Sequence, residues 1–354
     1  KIKNDEKDYE EVKGLMFRKD SEVVVTEDMA MVENLDDLPR PAYDLFELEK
    51  YYAWQQGIVP IVTSRGCPFR CVFCSIHLTM GRKFRVQSAE RVVEDLQYWS
   101  GRGMIKADIN DDEFTFVPGR AEKVCDLIVE KGVKMELRLF NGIRVADVTY
   151  GLLEKMKRAG FTAITYAIES GSPKVLKNIK KGITIEQAKE AIQMTKEVGI
   201  ETTVNFIIGH PGETYKDALM TLELMREVPG DKLNFNNVVV YPSTELYDWV
   251  KENGRFVIDP EEFLNLSHPG KHDVPFFETD DFTKEQRIDV LRKGILIYRE
   301  KLIRTRMKDP WATMYVAATK FDSVYAVGEI LKTTPFVNKY VKPMIFRKYG
   351  ARTK

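Results

Sequence analysis

The chain of 354 residues has few cysteines, few histidines, no excess charge and no long hydrophobic run. Only four Cys occur, and a chain this long buries a sizeable core without disulfides. Lys+Arg and Asp+Glu both number 54, so no overall charge attracts nucleic acid. No run of about 18 apolar residues is present, and the charged first residues do not resemble a secretory signal. These absences predict a cytoplasmic protein that binds no nucleic acid.

One end of the chain departs from this balance. Residues 331–354 carry seven basic side chains and no acidic one, and aromatic residues are interleaved with them. A solvated chain end explains this pattern. The other interpretation is docking to an anionic membrane surface or an acidic partner, which leaves membrane association through the tail open.

Three of the four cysteines lie within eight residues, Cys67, Cys71 and Cys74, in the segment CPFRCVFC. Gly66 and Pro68 place them in a loop after the apolar run 58–62. Clustered thiols in such a chain indicate a metal site. Zinc is one candidate, with His77 as a fourth ligand. The other is a 4Fe–4S cluster, in which three thiolates would leave one iron open. The fourth cysteine, Cys125, lies in an apolar helical pattern and is predicted to be a core residue.

Short apolar runs alternate with helical patterns over about 190 residues. We predict strands at 58–63, 106–110, 134–140, 162–168, 201–208 and 233–240. Helices are predicted at 89–98, 120–130, 148–159, 173–178, 185–198, 215–226 and 283–307. Such alternation predicts a parallel sheet, because parallel strands need crossover connections. The expected fold class is α/β, a partial (β/α)6 TIM-like barrel with a mainly helical C-terminal extension.

Polar or glycine-rich segments follow the predicted strands. In parallel β/α folds the carboxyl ends of the strands form the active site. We therefore expect carboxylates, a cation and close-approach glycines around one rim, from segments 110–113, 141–144, 169–172, 209–213 and 241–244.

The three cysteines, spaced C-x3-C-x2-C with an aromatic before the last, resemble the signature of the radical S-adenosylmethionine (SAM) superfamily. Residues 166–181 (YAIESGSPKVLKNIKK) and 205–214 (NFIIGHPGET) are similar to its later strand segments. The cobalamin-binding group of that superfamily is more similar still, and includes carbon methylases and the anaerobic magnesium-protoporphyrin monomethyl ester cyclase. Its characteristic features are found in LDDLPRPAY at 35–43, Phe84-Arg85, Asp111-Asp112 and NGIR at 141–144.

The resemblance implies three regions. Residues 58–252 are expected to form the radical SAM core, and 253–354 a C-terminal helical extension with the basic tail. Residues 1–57 resemble the linker that follows a cobalamin domain, but they are too few to form that domain and contain no His. Either the chain is a piece of a longer protein, or the cobalamin domain is a separate polypeptide, or it has been lost. Cobalamin use therefore stays open.

By resemblance, Cys67, Cys71 and Cys74 bind three irons of a 4Fe–4S cluster, and the fourth iron binds SAM. The remaining cofactor-binding residues implied are Phe73, Asp112, Glu113, Glu169, Gly209 and Gly212. Phe73 would lie against adenine, the carboxylates would pair with the SAM ammonium or ribose, and the glycines would admit adenosine. Each also has a structural explanation: loop packing, helix capping or a turn.

Five other side chains have competing interpretations. Arg144 is expected to face SAM, the substrate or a surface carboxylate. His77 and His210 are expected to pack or hydrogen-bond locally, because radical abstraction needs no general base. Tyr166 and Tyr241 are expected to be core or substrate-wall residues.

The implied function is SAM cleavage to a 5′-deoxyadenosyl radical, used in cobalamin-assisted carbon methylation, with a reductant protein such as flavodoxin or ferredoxin as partner. An oxidative cyclase or rearrangement enzyme is the first alternative. A methylthiotransferase is less expected, because residues 1–57 have no Cys. A zinc-stabilised binding protein is the alternative outside enzymes.

Overall fold

Twelve strands and eleven α-helices make up the described part of the chain, residues 9–263 and 274–306 of a computed structural model. The strands are β1 Met16–Lys19, β2 Glu22–Val25, β3 Ile58–Ile61, β4 Ser64–Arg65, β5 Arg85–Val86, β6 Lys106–Ile109, β7 Glu136–Leu139, β8 Phe161–Glu169, β9 Glu201–Ile208, β10 Lys232–Asn237, β11 Arg255–Phe256 and β12 Phe277–Glu278. The helices are α1 Tyr52–Gln55, α2 Ile76–Thr79, α3 Ala89–Gly101, α4 Arg120–Glu130, α5 Tyr150–Arg158, α6 Pro173–Asn178, α7 Ile185–Val198, α8 Tyr215–Glu227, α9 Glu245–Asn253, α10 Pro260–Phe263 and α11 Lys284–Arg306.

Six parallel strands form the central sheet in the order β3-β6-β7-β8-β9-β10. Each neighbour follows in chain order, as helical crossovers between parallel strands require. Among the described strands, β3 and β10 each have a single partner in this sheet. The α/β class and the six-stranded arrangement of an open barrel are therefore confirmed.

The two faces of the sheet differ in burial. Along β9, Val204, Phe206 and Ile208 are fully buried, whereas Thr203 and Asn205 on the opposite face are half-buried. The crossover helices cover the first face and form the main core with it. All six strands point their carboxyl ends at one rim, where the segments that follow them meet.

Local signals explain why the predicted elements match the structure closely. Thr184 and Gln187 form a capping box at the start of α7, and Gly199 ends that helix with φ 78°. Four elements have the predicted bounds, which are α4, α6, α7 and β9. Strand β7 is shorter than predicted, because its ladder with β6 covers only Glu136–Leu139.

The linker-like segment before the sheet contains structure that the sequence did not predict. Strands β1 and β2 form a hairpin whose turn residues Asp20 and Ser21 have positive φ. Further on, Leu35 is buried and the Ser88 backbone N–H donates to Asp36 at 2.8 Å. The Tyr43 ring lies 5.4 Å from that of Trp99. The segment is therefore packed onto α3.

At the other end, α11 packs against β10 and α8. The predicted helix 283–307 is thus present, and the basic tail 331–354 lies outside the described residues. The division of the chain at residues 57 and 252 stays a prediction. Within residues 9–263 and 274–306, no helix combines the length and apolarity needed to cross a membrane.

Candidate active site

The cysteine loop follows β4 at the carboxyl end of β3. Gly66, with φ 86°, begins it, and a Cβ there would lie only 2.5 Å from the carbonyl oxygen of Lys83. The Cys67 backbone N–H donates to the Gly81 oxygen at 3.3 Å. Val72 is held on both sides, since its N–H donates to Ile179 at 3.2 Å and its oxygen accepts from Leu246 at 3.0 Å. Backbone hydrogen bonds therefore attach the loop to segments that follow β8 and β10.

The thiols of this loop are half-buried and none forms a disulfide. Burial raises the pKa of Cys67 to about 11 and raises the pKa of Cys71 and Cys74. Cys71 and Cys74 also raise the pKa of Cys67, and Cys74 raises that of Cys71, which places the three thiols close together. Without a cation these thiols stay protonated, and bound iron would stabilise their thiolates. This donor set fits a thiolate-held iron–sulfur cluster.

The zinc alternative requires four ligands around one point. His77, the predicted fourth ligand, instead places Nδ1 3.0 Å from the Cys74 carbonyl oxygen. In the described ranges, no three His, Cys, Asp or Glu side chains surround a point that could hold a single ion. A 4Fe–4S cluster distributes its thiolates over several irons, so its ligands do not converge on one point.

A buried ion pair lies beside the cysteines. Lys181 Nζ is 2.8 Å from Glu169 Oε1, and the two side chains are 15% and 4% exposed. Glu169 ends β8 at a register shift with φ 76°, an uncommon conformation for a residue with a Cβ. Its Oε2 is buried without a hydrogen-bond partner among the described residues. Glu169 thus presents a free carboxylate oxygen at the rim.

Lys181 is a site residue that the sequence analysis missed. Burial lowers its pKa, but Glu169 and the Cys71 and Cys74 thiols outweigh burial, so the net pKa is raised. It follows α6 in a Lys-Lys pair that looks like a solvated surface. Lys181 differs from Lys180 only in its tertiary position, because the fold brings it next to the cysteine loop.

The three carboxylates after β6 have different surroundings, although burial raises the pKa of each. Asp111 is buried and accepts from the N–H and Oγ1 of Thr63, both at 2.5 Å. Glu113 is buried and accepts from the N–H and Oγ1 of Thr115 at 3.0 and 2.7 Å. Asp112 is half-buried and near enough to Cys74 to raise that thiol's pKa. Of the two predicted here, Asp112 is the more available to a ligand.

The loop after β9 has a tightly held backbone. Glu213 Oε2 accepts from the N–H groups of Gly209 and His210 at 2.6 and 2.9 Å. Asn178 donates to the Pro211 oxygen at 3.0 Å, and Gly212 lies against the same Asn178 side chain.

One aromatic contact connects this loop to the cysteines. The His210 ring lies 5.3 Å from that of Phe73. The predicted residues Phe73, Gly209 and Gly212 are therefore on adjoining loops.

The remaining candidates have local partners. Arg144 stacks 3.9 Å from the centre of the Phe69 ring and donates to the Gly182 oxygen at 2.5 Å. Tyr166 is buried with its hydroxyl 2.7 Å from Thr195 Oγ1. Cys125 is buried in α4, as predicted. His210 is also buried, and Tyr241 packs at the edge of a second apolar cluster.

Comparisons with known proteins show which family this chain resembles. The sequence pattern of the Radical SAM superfamily matches residues 61–225. An uncharacterized methyltransferase of Pyrococcus horikoshii is 30% identical over 287 residues, 80% of this chain and 61% of that protein. The anaerobic magnesium-protoporphyrin IX monomethyl ester cyclase of Rubrivivax gelatinosus is 30% identical over 235 residues, 64% of this chain and 41% of that protein.

A solved structure gives the same fold. The cobalamin-dependent SAM radical enzyme OxsB, with aqua-cobalamin and SAM bound, superposes with a TM-score of 0.59 at 16% identity. The match covers 99% of this chain and 57% of OxsB. Residues 61–225 of this chain therefore form a radical SAM domain, of the enzyme superfamily whose members bind a 4Fe–4S cluster and SAM.

Proposed function

We propose that this chain cleaves SAM reductively and uses the resulting radical to activate a substrate carbon, which then receives through cobalamin a methyl group from a second SAM. The observation that carries the first part is the set of three half-buried thiols at the end of β3 beside the Glu169–Lys181 ion pair. The methyltransferase names of relatives support the second part. The chain spans 61% of the first of these relatives, so its complete activity belongs to the proposal.

Cys67, Cys71 and Cys74 would hold three irons of the cluster. A reduced cluster held there would supply one electron to SAM, which would yield methionine and a 5′-deoxyadenosyl radical. The loop would hold these ligands in place, because its backbone hydrogen bonds at Cys67 and Val72 attach it to neighbouring segments.

The methionine end of SAM carries an ammonium and a carboxylate. Glu169 Oε2, buried and without a partner among the described residues, would accept from the ammonium or from a ribose hydroxyl. Asp112 would add a second acceptor, and Lys181 would pair with the carboxylate. All three interact electrostatically with the cysteine thiols, so they share one site.

The adenosine end would lie on the loop after β9. Gly209 and Gly212 have φ 94° and 66°, which lets the backbone there approach a ligand closely. Phe73, half-buried against His210, would pack on the adenine and exclude water from the cleaved bond.

Cobalamin and the electron source would be supplied from outside the described residues. Radical SAM enzymes need a reductant, and we propose a flavodoxin or ferredoxin. We propose that a cobalamin domain, of this protein or of another chain, supplies cobalamin to the core.

An oxidative cyclase is the second candidate, favoured by the 30% identity to the magnesium-protoporphyrin ester cyclase. Product analysis separates the two. The reconstituted, reduced protein is incubated with SAM, with and without cobalamin, in an extract of its own organism. Methyl transfer predicts S-adenosylhomocysteine together with 5′-deoxyadenosine, only with cobalamin present. Formation of 5′-deoxyadenosine with no S-adenosylhomocysteine in either mixture would contradict methyl transfer and favour the cyclase.

A further inference from the structure

An arginine from α11, the last described helix, lies in the core beneath the loop after β9. Arg287 of α11 is 1% exposed, and its guanidinium carbon lies 4.2 and 4.6 Å from the ring centres of Phe277 and Phe282. Its Nε donates to the Phe282 oxygen at 3.0 Å. The two rings and this hydrogen bond fix the plane of the guanidinium.

The guanidinium lies directly against Gly209. A Cβ on Gly209 would be 2.5 Å from Arg287 Nη1 and 3.2 Å from Val238. No side chain fits between the guanidinium and the backbone at this position. Glu213 holds the other side of the loop through the N–H groups of Gly209 and His210. The backbone at Gly209 is therefore confined between an acidic and a basic side chain.

Three side chains around this loop have buried polar atoms without a hydrogen-bond partner in the described part of the chain. These atoms are Glu213 Oε1, Arg287 Nη2 and both ring nitrogens of His210. Arg287 interacts electrostatically with Glu213 and with Glu278, and also with His210. Arg287 and Glu213 therefore attract one another across the Gly209–His210 backbone. Moving either one would pull on the loop between them.

We propose that Arg287 is a positioning residue for SAM: it holds the Gly209–His210 backbone, together with Glu213, in the conformation that receives adenosine. The inference rests on the proposed function, which assigns SAM to this loop. It makes helix α11, outside the segment 61–225, part of the cofactor site.

The test compares Arg287→Met and Arg287→Lys in the full chain with a reconstituted cluster. Arg292→Met is the matched control, because Arg292 is exposed on the same helix. We measure the Kd of SAM, KM and kcat for SAM cleavage, and hydrogen exchange of residues 209–213 without cluster or SAM. Loss of the fixed charge should raise the Kd and KM of Arg287→Met about tenfold, with kcat at saturating SAM little changed. Arg287→Lys should restore most of the SAM affinity. In Arg287→Met, hydrogen exchange should accelerate in residues 209–213 alone.

Several results overturn the inference. Unchanged SAM affinity in a folded Arg287→Met variant would overturn it. An Arg287→Lys variant that binds SAM no more tightly than Arg287→Met would also overturn it. If Arg287→Met does not fold, Arg287→Gln replaces it, because Gln keeps a polar side chain without the charge. Weaker SAM binding with faster exchange confined to 209–213 would support the inference, and unchanged affinity, or exchange that is uniform or unchanged across the sheet, would contradict it. A wild-type protein that binds no SAM would instead contradict the proposed function. The exchange measurement needs no SAM, so its result on the Arg287 variants would still be valid.

Discussion

Glu169 and Lys181 form a 2.8 Å ion pair in which the acidic partner keeps a left-handed backbone conformation. That conformation costs a residue with a Cβ about 1 kcal/mol or more, and such strain is concentrated at functional sites. The Glu169 and Lys181 side chains are 4% and 15% exposed. Each therefore neutralises the charge of the other at a position that little water reaches. A strained, buried and incompletely hydrogen-bonded carboxylate beside three thiols is most simply explained by a ligand that uses it.

Replacing Glu169 by Gln tests that explanation. Glu169→Gln keeps the shape and the contact with Lys181 but removes the charge, so the Kd for SAM should rise about tenfold. Stability should fall by about 1–3 kcal/mol, because Lys181 loses its counter-charge. Equilibrium binding and urea unfolding measure the two effects. Glu223→Gln, at an exposed position of α8, is the control and should change neither. Unchanged SAM affinity in Glu169→Gln would remove this residue from the site.

Asp111 and Asp112 should respond differently to substitution, although they are adjacent. Asp111→Ala leaves the buried N–H and hydroxyl of Thr63 without their acceptor and should cost about 1–3 kcal/mol of unfolding free energy. Asp112→Ala should change stability by less than about 0.5 kcal/mol while weakening SAM binding. Unfolding and binding titrations on both variants check the contrast. Equal effects of the two substitutions on both quantities would contradict it.

His210 should make the protein sensitive to acid. Burial, with Lys181 and Arg287 nearby, lowers the pKa of His210 to about 3. The unfolded chain protonates this histidine below about pH 6.5, but the folded chain does not, so stability is lost as the pH falls from about 6.5 towards 3. At about pH 5.5 the loss from His210 alone should be on the order of 1 kcal/mol.

The His210→Phe variant isolates this contribution. Urea unfolding near neutral pH and at about pH 5.5 should show a smaller loss on acidification in the variant than in the wild type. Burial raises the pKa of Glu213 to about 7, which affects stability in the opposite direction, but that carboxylate is present in both proteins. Identical pH dependence in the two proteins would show that His210 is not held neutral.

Iron binding should depend on the loop cysteines and not on the fourth cysteine, Cys125. Cys71→Ala should lose most of the iron and sulfide that reconstituted wild type retains, because one cluster ligand is missing. Cys125→Ala removes a buried thiol in α4 and should keep the cluster, at a cost of about 1 kcal/mol in stability. Iron and sulfide analysis after desalting measures this difference. Full cluster content in Cys71→Ala would exclude that thiol as a ligand.

The sequence predicted those features of the fold that depend on local signals. Regular apolar spacing predicted the bounds of α7 and β9, and the structure shows the capping residues Thr184 and Gly199 at the two ends of α7. The β1–β2 hairpin was missed, because its strands are short, mostly exposed and carry little apolar alternation. Strands this short form through pairing, and pairing is not a local property of the sequence.

The site was predicted unevenly for a similar reason. Cys67, Cys71 and Cys74 lie in one short motif, so their spacing alone indicated a cluster. Lys181 and Arg287 reach the site from distant parts of the chain, and each is one among many basic residues. Burial and the identity of the neighbouring acid distinguish them, and both depend on the tertiary structure.

Reductive cleavage of SAM by the anaerobically reconstituted protein tests most directly whether this chain performs radical SAM chemistry. The protein, reduced and mixed with SAM, is analysed by mass spectrometry for 5′-deoxyadenosine and methionine, with Cys71→Ala as the control for adventitious iron. The wild type should yield both products, dependent on the reductant and absent with Cys71→Ala. A wild-type protein that assembles no cluster and binds zinc instead, or that holds a full cluster and SAM and yields neither product, would contradict it.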